Sequence, residues 1–221
     1  MADRLLFSKS GRAKYISHLD LMRTFQRAFS RAGIQIKHTE GFNPHAFVSI
    51  ALPLSVGFSS ECVILEFGLL DGVAEQEVPQ RLNAVLPEGI VIRRCYRGQR
   101  PIKALTHLNY IITFDYESGA PFGAETALKN LLNRDSLVVA KKSKKAKSGV
   151  TQVDLIPLIK SWSVEGRRDT ITLDVVLAAQ NPGLNPELIR AAFCDAYPDL
   201  APDYISFHRR AALDEQGRQF E

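Results

Sequence analysis

The stretch KYISHLDLMRTFQRAFSRAGIQIKHTEGFNPHAFVSIALPLSVG, residues 14–57, contains the signals that decide the fold of the first half of the chain. Ser17 stands at a helix N-cap position, and Asp20 follows three residues later, as in a variant of the capping box. Glycine commonly follows the last residue of a helix, and Gly33 stands in that place. The stretch therefore predicts a helix over residues 18–32.

This predicted helix has two different faces. Its apolar residues form one stripe that should pack against a sheet: Leu21, Met22, Phe25, Ala28, Phe29 and Ala32. Arg23, Arg27 and Arg31 recur every fourth residue on another side. Such a row can present guanidinium groups to a polyanion, but it is equally typical of a solvated helix face whose arginines pair with Asp20.

The elements around the helix give the order of a split βαβ motif. A short apolar run at residues 4–8 precedes the helix, and the turn residues of TEGFNPH follow it. The remaining elements of the first half are two strands, a helix and a strand, predicted at residues 47–52, 62–69, 74–86 and 90–96. The first half therefore reads β-α-β-β-α-β.

The second half repeats this order with an insertion in the middle. Strands are predicted at residues 110–116, 136–140, 162–165, 170–177 and 204–208, and helices at residues 124–132 and 187–196. We therefore predict an α+β protein with two tandem ferredoxin-like units, residues 1–104 and 105–221, each with an antiparallel sheet and its helices on one face. The second unit carries a basic insertion near residues 141–149. This fold supports many activities and does not select one.

The composition indicates a soluble globular protein with no membrane segment. Hydrophobic residues make up 45% of the 221 residues and charged residues 24%. No apolar run approaches the roughly 20 residues that span a bilayer, and the first residues lack the apolar core of a signal peptide. We expect a cytoplasmic protein.

Neither the cysteines nor the histidines have the spacing of a metal site. Cys62, Cys95 and Cys194 are far apart, and each lies in an apolar pattern typical of buried thiols. The spacings between His18, His38 and His45 are 20 and 7 residues, and these match no compact metal-ligand motif. The chain also lacks a Walker loop and a GxGxxG motif, so no cofactor is expected.

Basic residues concentrate in two segments, although the formal net charge is only +4. Residues 141–147 contain five lysines, and residues 93–103 contain four arginines and a lysine. Such clusters attract polyanions through steering and counterion release. A lysine run is also typical of a solvated loop.

Two blocks of the sequence resemble a known family. YISHLDLMRTFQRAFSRAG, followed by EGFNPH and ALPLSVG, is similar to the opening signature of the uncharacterised radical-SAM-linked protein family. VDLIPLIKSWSVE, residues 153–165, resembles its second block. The resemblance implies a cobalamin-type radical SAM partner protein and a neighbourhood of ribosome and RNA-processing functions, but no particular reaction.

The predicted architecture is also distantly similar to the CRISPR repeat-processing ribonucleases, which pair tandem ferredoxin-like units with a histidine near the first helix. Their glycine-rich loop before the last strand is missing here, because Pro198 to Pro202 occupies that place without a glycine. RNA gripping of their kind is therefore not indicated.

Three functional hypotheses follow. The first is an RNA-binding accessory module for a radical SAM enzyme, working in RNA modification or ribosome-linked processing. Its candidate RNA-binding residues are Lys14, Arg23, Arg27, Phe42, Asn43, Arg94, Arg97, Lys141, Lys142, Lys144, Lys145 and Lys147.

The second hypothesis is a metal-independent endoribonuclease that uses His18 and His45, with Tyr15 nearby. It requires the turn at Asn43-Pro44 to fold back over the helix N-terminus, which would be a natural phosphate site. The third is a protein-docking subunit that makes no RNA contact. No pattern in the sequence indicates an oligomeric state.

Overall fold

The computed structural model describes residues 2–70, 72–142 and 149–220 of the chain. It confirms the predicted α+β class: within these residues there are four α-helices, and the strand pairings described are antiparallel. The chain divides into two units. The first contains residues 2–104, Arg209–Ala211, Gln219 and Phe220, and the second contains Leu105–His208 and Ala212–Arg218.

The first unit is a four-stranded sheet with two α-helices. Its elements in chain order are β1 (Asp3–Lys9), α1 (His18–Arg31), β2 (Val48–Ala51), β3 (Ser59–Phe67), α2 (Val78–Asn83) and β4 (Ile90–Arg97). The strands follow the spatial order β4-β1-β3-β2, and all three pairings are antiparallel. Leu5 on β1 lies between Leu65 on β3 and Cys95 on β4, so alternate positions of these strands share the core face.

Helix α1 packs its apolar stripe on this face of the sheet. Leu21, Phe25, Ala28 and Phe29 are buried, as the stripe predicted. Phe25 meets Phe7 of β1 edge to face at a ring-centroid distance of 4.8 Å. Two rings in this arrangement contribute about 1 kcal/mol beyond the area that they bury. The opposite side of α1 is therefore left to polar residues.

Both ends of α1 agree with the sequence signals to within one residue. The Ser17 Oγ accepts the Asp20 backbone N–H at 3.2 Å and donates to the Asp20 carboxylate at 2.7 Å. Gly33 follows the helix with φ 66°, a left-handed conformation that costs glycine little. Helix α2 is shorter than the predicted 74–86, because a 3-10 turn (Glu75–Glu77) precedes it.

The second unit combines a four-stranded sheet, two α-helices and an inserted hairpin. Its elements are β5 (His107–Asp115), α3 (Ala124–Leu132), β6 (Val138–Lys142), β7 (Val150–Asp154), β8 (Ile159–Gly166), β9 (Thr170–Ala178), α4 (Glu187–Ala196) and β10 (Tyr204–Leu213). The sheet order is β10-β5-β9-β8, and β6 and β7 pair only with each other. Strand β7 is absent from the sequence prediction, which placed an irregular stretch there.

In the described part of the chain, no helix combines the length and the apolar character that crossing a lipid bilayer requires.

Candidate nucleic-acid interface

The outer face of α1 carries a row of three arginines beside an open groove. Arg23, Arg27 and Arg31 all line it, together with Asp20, Thr24, Val85 and Pro87. Its volume is about 560 Å³. Residues four apart on a helix lie on the same side, about 6 Å apart along the axis. The helix therefore presents its three cations in line along one groove.

The first and last arginines of this row are held in place, whereas the middle one makes no hydrogen bond or ion pair with another described residue. Arg23 donates to the Asp20 carboxylate at 3.1 Å, and both side chains are exposed. Hydrogen bonds from Ser17 and Arg23 lower the pKa of Asp20, so this carboxylate is charged at neutral pH. Arg31 donates to the Val85 carbonyl at 2.9 Å. The groove lining thus has three cations and one carboxylate.

The loop that follows α1 is joined to the helix at Gln26, which does not line the arginine groove. Gln26 of α1 donates from Nε2 to the Ala46 carbonyl at 3.0 Å. Gln26 is three residues from Arg23, so the two share neighbouring positions on the helix surface. In this loop Phe42 is completely exposed and Asn43 is also exposed. An exposed aromatic ring therefore stands on a loop that this hydrogen bond joins to α1.

The residues before α1 form a second exposed group. Tyr15 is 59% exposed, and the Lys14 ammonium lies 5.1 Å from the centre of its ring. The Gly57 N–H donates to the Lys14 carbonyl at 2.9 Å, which brings the β2–β3 connection to this end of the helix. Leu19 and Val56 are also exposed here, at 66% and 58%.

The contacts do not bring His18 and His45 together as a catalytic pair. His18 is exposed at the first position of α1. The His45 Nδ1 lies 3.1 Å from the Thr39 hydroxyl and 3.2 Å from the Asn43 carbonyl. The loop is fixed at Gln26, about 12 Å along the axis from the helix start. Within the described ranges no hydrogen bond joins the two histidines.

The other predicted RNA-binding residues lie elsewhere. Arg94 and Arg97 are exposed on β4, where they line a second cavity of the first unit. Lys141 is half-buried on β6 of the second unit. Lys144, Lys145, Lys147 and the side chain of Lys142 lie outside the described part of the chain. Three or more metal-binding side chains do not cluster anywhere in the described ranges.

Several buried polar residues of the first unit were not predicted from the sequence. Lys9 donates from Nζ to the Ile16 carbonyl at 3.0 Å, and burial, followed by the nearby Arg209 charge, lowers the pKa of Lys9. Arg209 donates to the Leu52 carbonyl at 2.6 Å. Arg4 pairs with Glu66 at 2.9 Å. The only sequence signal for these buried residues is a charge within an apolar strand. This signal does not identify the group with which the charge pairs.

A comparison with protein-family profiles identifies the family of the chain. Residues 4–186 match the profile of DUF2344, described as an uncharacterised protein conserved in bacteria. This chain belongs to the DUF2344 family. A search of curated proteins found no match to it.

Two solved structures are similar to the DUF2344 chain. A chain of the crystal structure of a Cbf5-Nop10-Gar1 complex has a TM-score of 0.51 at 7% identity, with 95% of this chain and 48% of that chain covered. The DUF2344 chain thus spans about half the length of that chain, and the likeness concerns the fold alone. A crystal structure of an unknown protein from Galdieria sulphuraria has 10% identity and a TM-score of 0.27, with coverages of 94% and 97%.

Proposed function

We propose that this DUF2344 protein is an RNA-binding accessory module that presents a structured RNA to a radical SAM enzyme. The RNA-binding surface is the outer face of α1 with the adjoining loop of residues 39–47. The observation that carries this proposal is the row formed by Arg23, Arg27 and Arg31 along one groove. The radical SAM part rests on the family resemblance of the sequence blocks.

The charges of this face suit a phosphate backbone. Guanidinium groups bind phosphate oxygens through two parallel hydrogen bonds, and their spacing of about 6 Å along the helix gives three separate contact points. Arg23 and Arg31 are already oriented by Asp20 and the Val85 carbonyl. Less side-chain freedom is therefore lost when the backbone binds.

The exposed aromatic rings supply the other half of RNA recognition. Unpaired bases stack on aromatic side chains, and each stacked base contributes about 1–3 kcal/mol. Phe42 stands fully exposed on the loop after α1, and Tyr15 is exposed at the start of α1. We propose that Phe42 stacks on an unpaired base while the arginine row holds the adjoining backbone.

We further propose that both units are ferredoxin-like βαββαβ modules. The strand order β4-β1-β3-β2 supports this in the first unit, and β10-β5-β9-β8 supports it in the second. In both orders the last strand of the unit lies at one edge of the sheet. The first strand lies between the last strand and the third, when the β6–β7 hairpin is not counted. The hairpin of β6 and β7 would then be an insertion between the first helix and the second strand of the motif.

The start of α1 is the surface that we propose for the radical SAM partner. Leu19 and Val56 are apolar and more than half exposed, and Lys14 contacts Gly57, the residue after Val56. Apolar surface of this kind gains free energy when a partner covers it. The surface therefore fits a protein contact better than a phosphate backbone.

A mobility-shift titration with labelled small RNA, run in chelator and also resolved on a denaturing gel, tests RNA binding. We expect a salt-sensitive shift with intact RNA, at least about tenfold weaker for Arg27→Gln than for the wild type. Arg81→Gln is the matched control, because Arg81 is exposed on α2 but does not line the groove. Equal binding by both variants would contradict the proposal, and discrete cleavage products would favour the ribonuclease hypothesis.

Co-elution of the DUF2344 protein with its radical SAM enzyme in size-exclusion chromatography tests the docking surface. We expect Leu19→Asp and Val56→Asp to abolish co-elution, because both place a charge in an apolar contact. Val91→Asp, on exposed β4, should leave it intact. Loss of the complex in all three variants, or in none of them, would refute this surface.

A further inference from the structure

A second cavity of the first unit lies along β4, away from the arginine row of α1. Its lining combines arginine, glutamine and tyrosine side chains with one carboxylate: Glu75, Arg94, Cys95, Tyr96, Arg97, Gln99, Arg100 and Gln219. The cavity volume is about 450 Å³, which is in the range of small-molecule pockets. None of its lining residues is shared with the α1 groove.

Two of its arginines are oriented by aromatic rings. The Arg94 guanidinium lies 4.7 Å from the centre of the Tyr96 ring, and that of Arg100 lies 4.8 Å from the Phe220 ring. Arg100 also donates to the Gln219 carbonyl at 3.2 Å. These contacts reduce the side-chain freedom of both arginines before any ligand arrives.

Residues 98–100 form one wall of the cavity, and the Arg4 side chain contacts the backbone of this wall. This side chain is 3% exposed, pairs with Glu66, and donates to the Arg100 carbonyl at 2.7 Å. A Cβ at Gly98 would come within 2.6 Å of the Arg4 guanidinium, so the backbone lies directly against it. The Arg4 Nη1 is buried without a hydrogen-bond acceptor in the described part of the chain. Because the Arg4 charge is already paired with Glu66, the contribution of Arg4 is to hold this backbone in place.

The charges of the described lining residues favour an anion. Among these residues are three arginines and one carboxylate, and Arg94 and Arg100 also interact with other groups of the chain. A phosphate monoester carries about −1.5 to −2 at neutral pH, whereas each backbone phosphodiester carries a single charge. Guanidinium groups also match phosphate oxygens in two-point contacts. The monoester is therefore the better complement to this cluster.

The neutral and acidic lining residues add groups that a nucleoside can use. The amides of Gln99 and Gln219 offer both donors and acceptors, as base edges require. The Glu75 carboxylate accepts hydrogen bonds from sugar hydroxyls. We propose that this cavity binds the phosphate monoester of a nucleotide, either a free mononucleotide or the terminal phosphate of an RNA. This site goes beyond the RNA contact proposed for α1 and does not depend on it.

Calorimetric titration of the full chain with uridine and adenosine 5′-monophosphates tests the site, with the two nucleosides as ligand controls. We expect one molecule bound per chain, no binding of the nucleosides at the same concentrations, and at least a tenfold loss of affinity in Arg97→Gln. Arg93→Gln is the matched control, because Arg93 is the same residue type on the same strand but does not line the cavity. Its affinity should equal that of the wild type.

Three results would overturn the proposal: no nucleotide binding, equal binding of the nucleosides, or equal losses in Arg97→Gln and Arg93→Gln. Circular dichroism of each variant identifies a loss that arises from unfolding. The Arg27→Gln variant separates this site from the α1 groove, because it should bind nucleotides like the wild type. A tenfold loss in Arg27→Gln as well would contradict a separate cavity.

Competition identifies the source of the phosphate. An oligoribonucleotide with a 5′-phosphate should displace the mononucleotide if the ligand is an RNA end, whereas its 5′-hydroxyl counterpart should not. If neither displaces it, the ligand is a free nucleotide. Displacement by the 5′-phosphate oligoribonucleotide and displacement by neither oligoribonucleotide both support a phosphate-monoester site. Displacement by the 5′-hydroxyl oligoribonucleotide but not by its 5′-phosphate counterpart would contradict it.

Discussion

At the scale of single residues, the ion pair of Arg4 with Glu66 has the clearest energetic consequence. Arg4 is almost fully buried, and the two side chains meet at 2.9 Å between opposed positions of β1 and β3. Breaking such a pair leaves a charge without its partner in a poorly solvated place. We predict that Arg4→Met lowers the free energy of unfolding by about 3 kcal/mol in urea titrations.

The control for this prediction is an exposed ion pair of the same types. Arg81 and Glu77 pair at 2.7 Å on the surface of α2, and Arg81→Met should change stability by at most about 0.5 kcal/mol. If the two arginine variants lost equal stability, the Arg4 pair would not have the structural role that its burial indicates.

The Cys95 thiol gives a prediction about pH. Burial, with smaller contributions from Glu75 and Asp3, raises the pKa of Cys95 to about 12. The nucleophile is the thiolate, whose fraction at pH 8 is then about a thousandfold lower than for a thiol with an ordinary pKa near 9. We predict very slow alkylation of Cys95 by iodoacetamide in the native protein and fast alkylation in urea.

The same pKa difference links stability to pH. In the unfolded chain the Cys95 thiol loses its proton near pH 9, whereas in the folded chain it keeps this proton up to about pH 12. The contribution of Cys95 to stability is therefore complete below pH 9 and is lost as the pH rises towards 12. The Cys95→Ala variant should lose less stability than the wild type between pH 9 and pH 11. An equal loss in both proteins would show that other groups dominate.

At the scale of elements, the N-cap of α1 is the feature most easily tested. Ser17 accepts the Asp20 N–H, which otherwise has no partner within the helix. We predict that Ser17→Ala lowers the free energy of unfolding by about 1 kcal/mol, whereas Ser17→Asp retains most of the cap. Urea titrations of the two variants measure the difference, and an unchanged stability of Ser17→Ala would mean that the cap contributes nothing.

The elements also show why some boundaries are predictable from sequence. The signals for α1 are local, since Ser17, Asp20 and Gly33 lie within or beside the helix. Helix α2 ends at Asn83, whose side chain bonds both backbone groups of Ile92 on β4, at 3.0 and 2.7 Å. This contact depends on the tertiary fold. Strand β7 was missed because it pairs only with β6 across the lysine-rich insertion.

At the scale of the whole molecule, the mixed α+β class was predictable and the candidate sites were only partly so. The arginine row of α1 follows from a spacing of four residues, which a helix converts directly into a line of cations. The cavity at β4 does not follow in this way, because Glu75, Arg97 and Gln219 are distant in sequence. The suggested meeting of His18 with His45 also depended on the path of the loop after α1, which no local pattern gives, and it stays a prediction.

The salt dependence of RNA affinity tests the central claim most directly. Each phosphate contact that a protein makes adds about one unit to the slope of log K against log salt concentration. We predict a steep negative slope for the wild type, a slope shallower by about one unit for Arg27→Gln, and no change for Arg81→Gln. A flat slope for the wild type, or identical slopes in all three proteins, would contradict an RNA-binding role for the arginine face of α1.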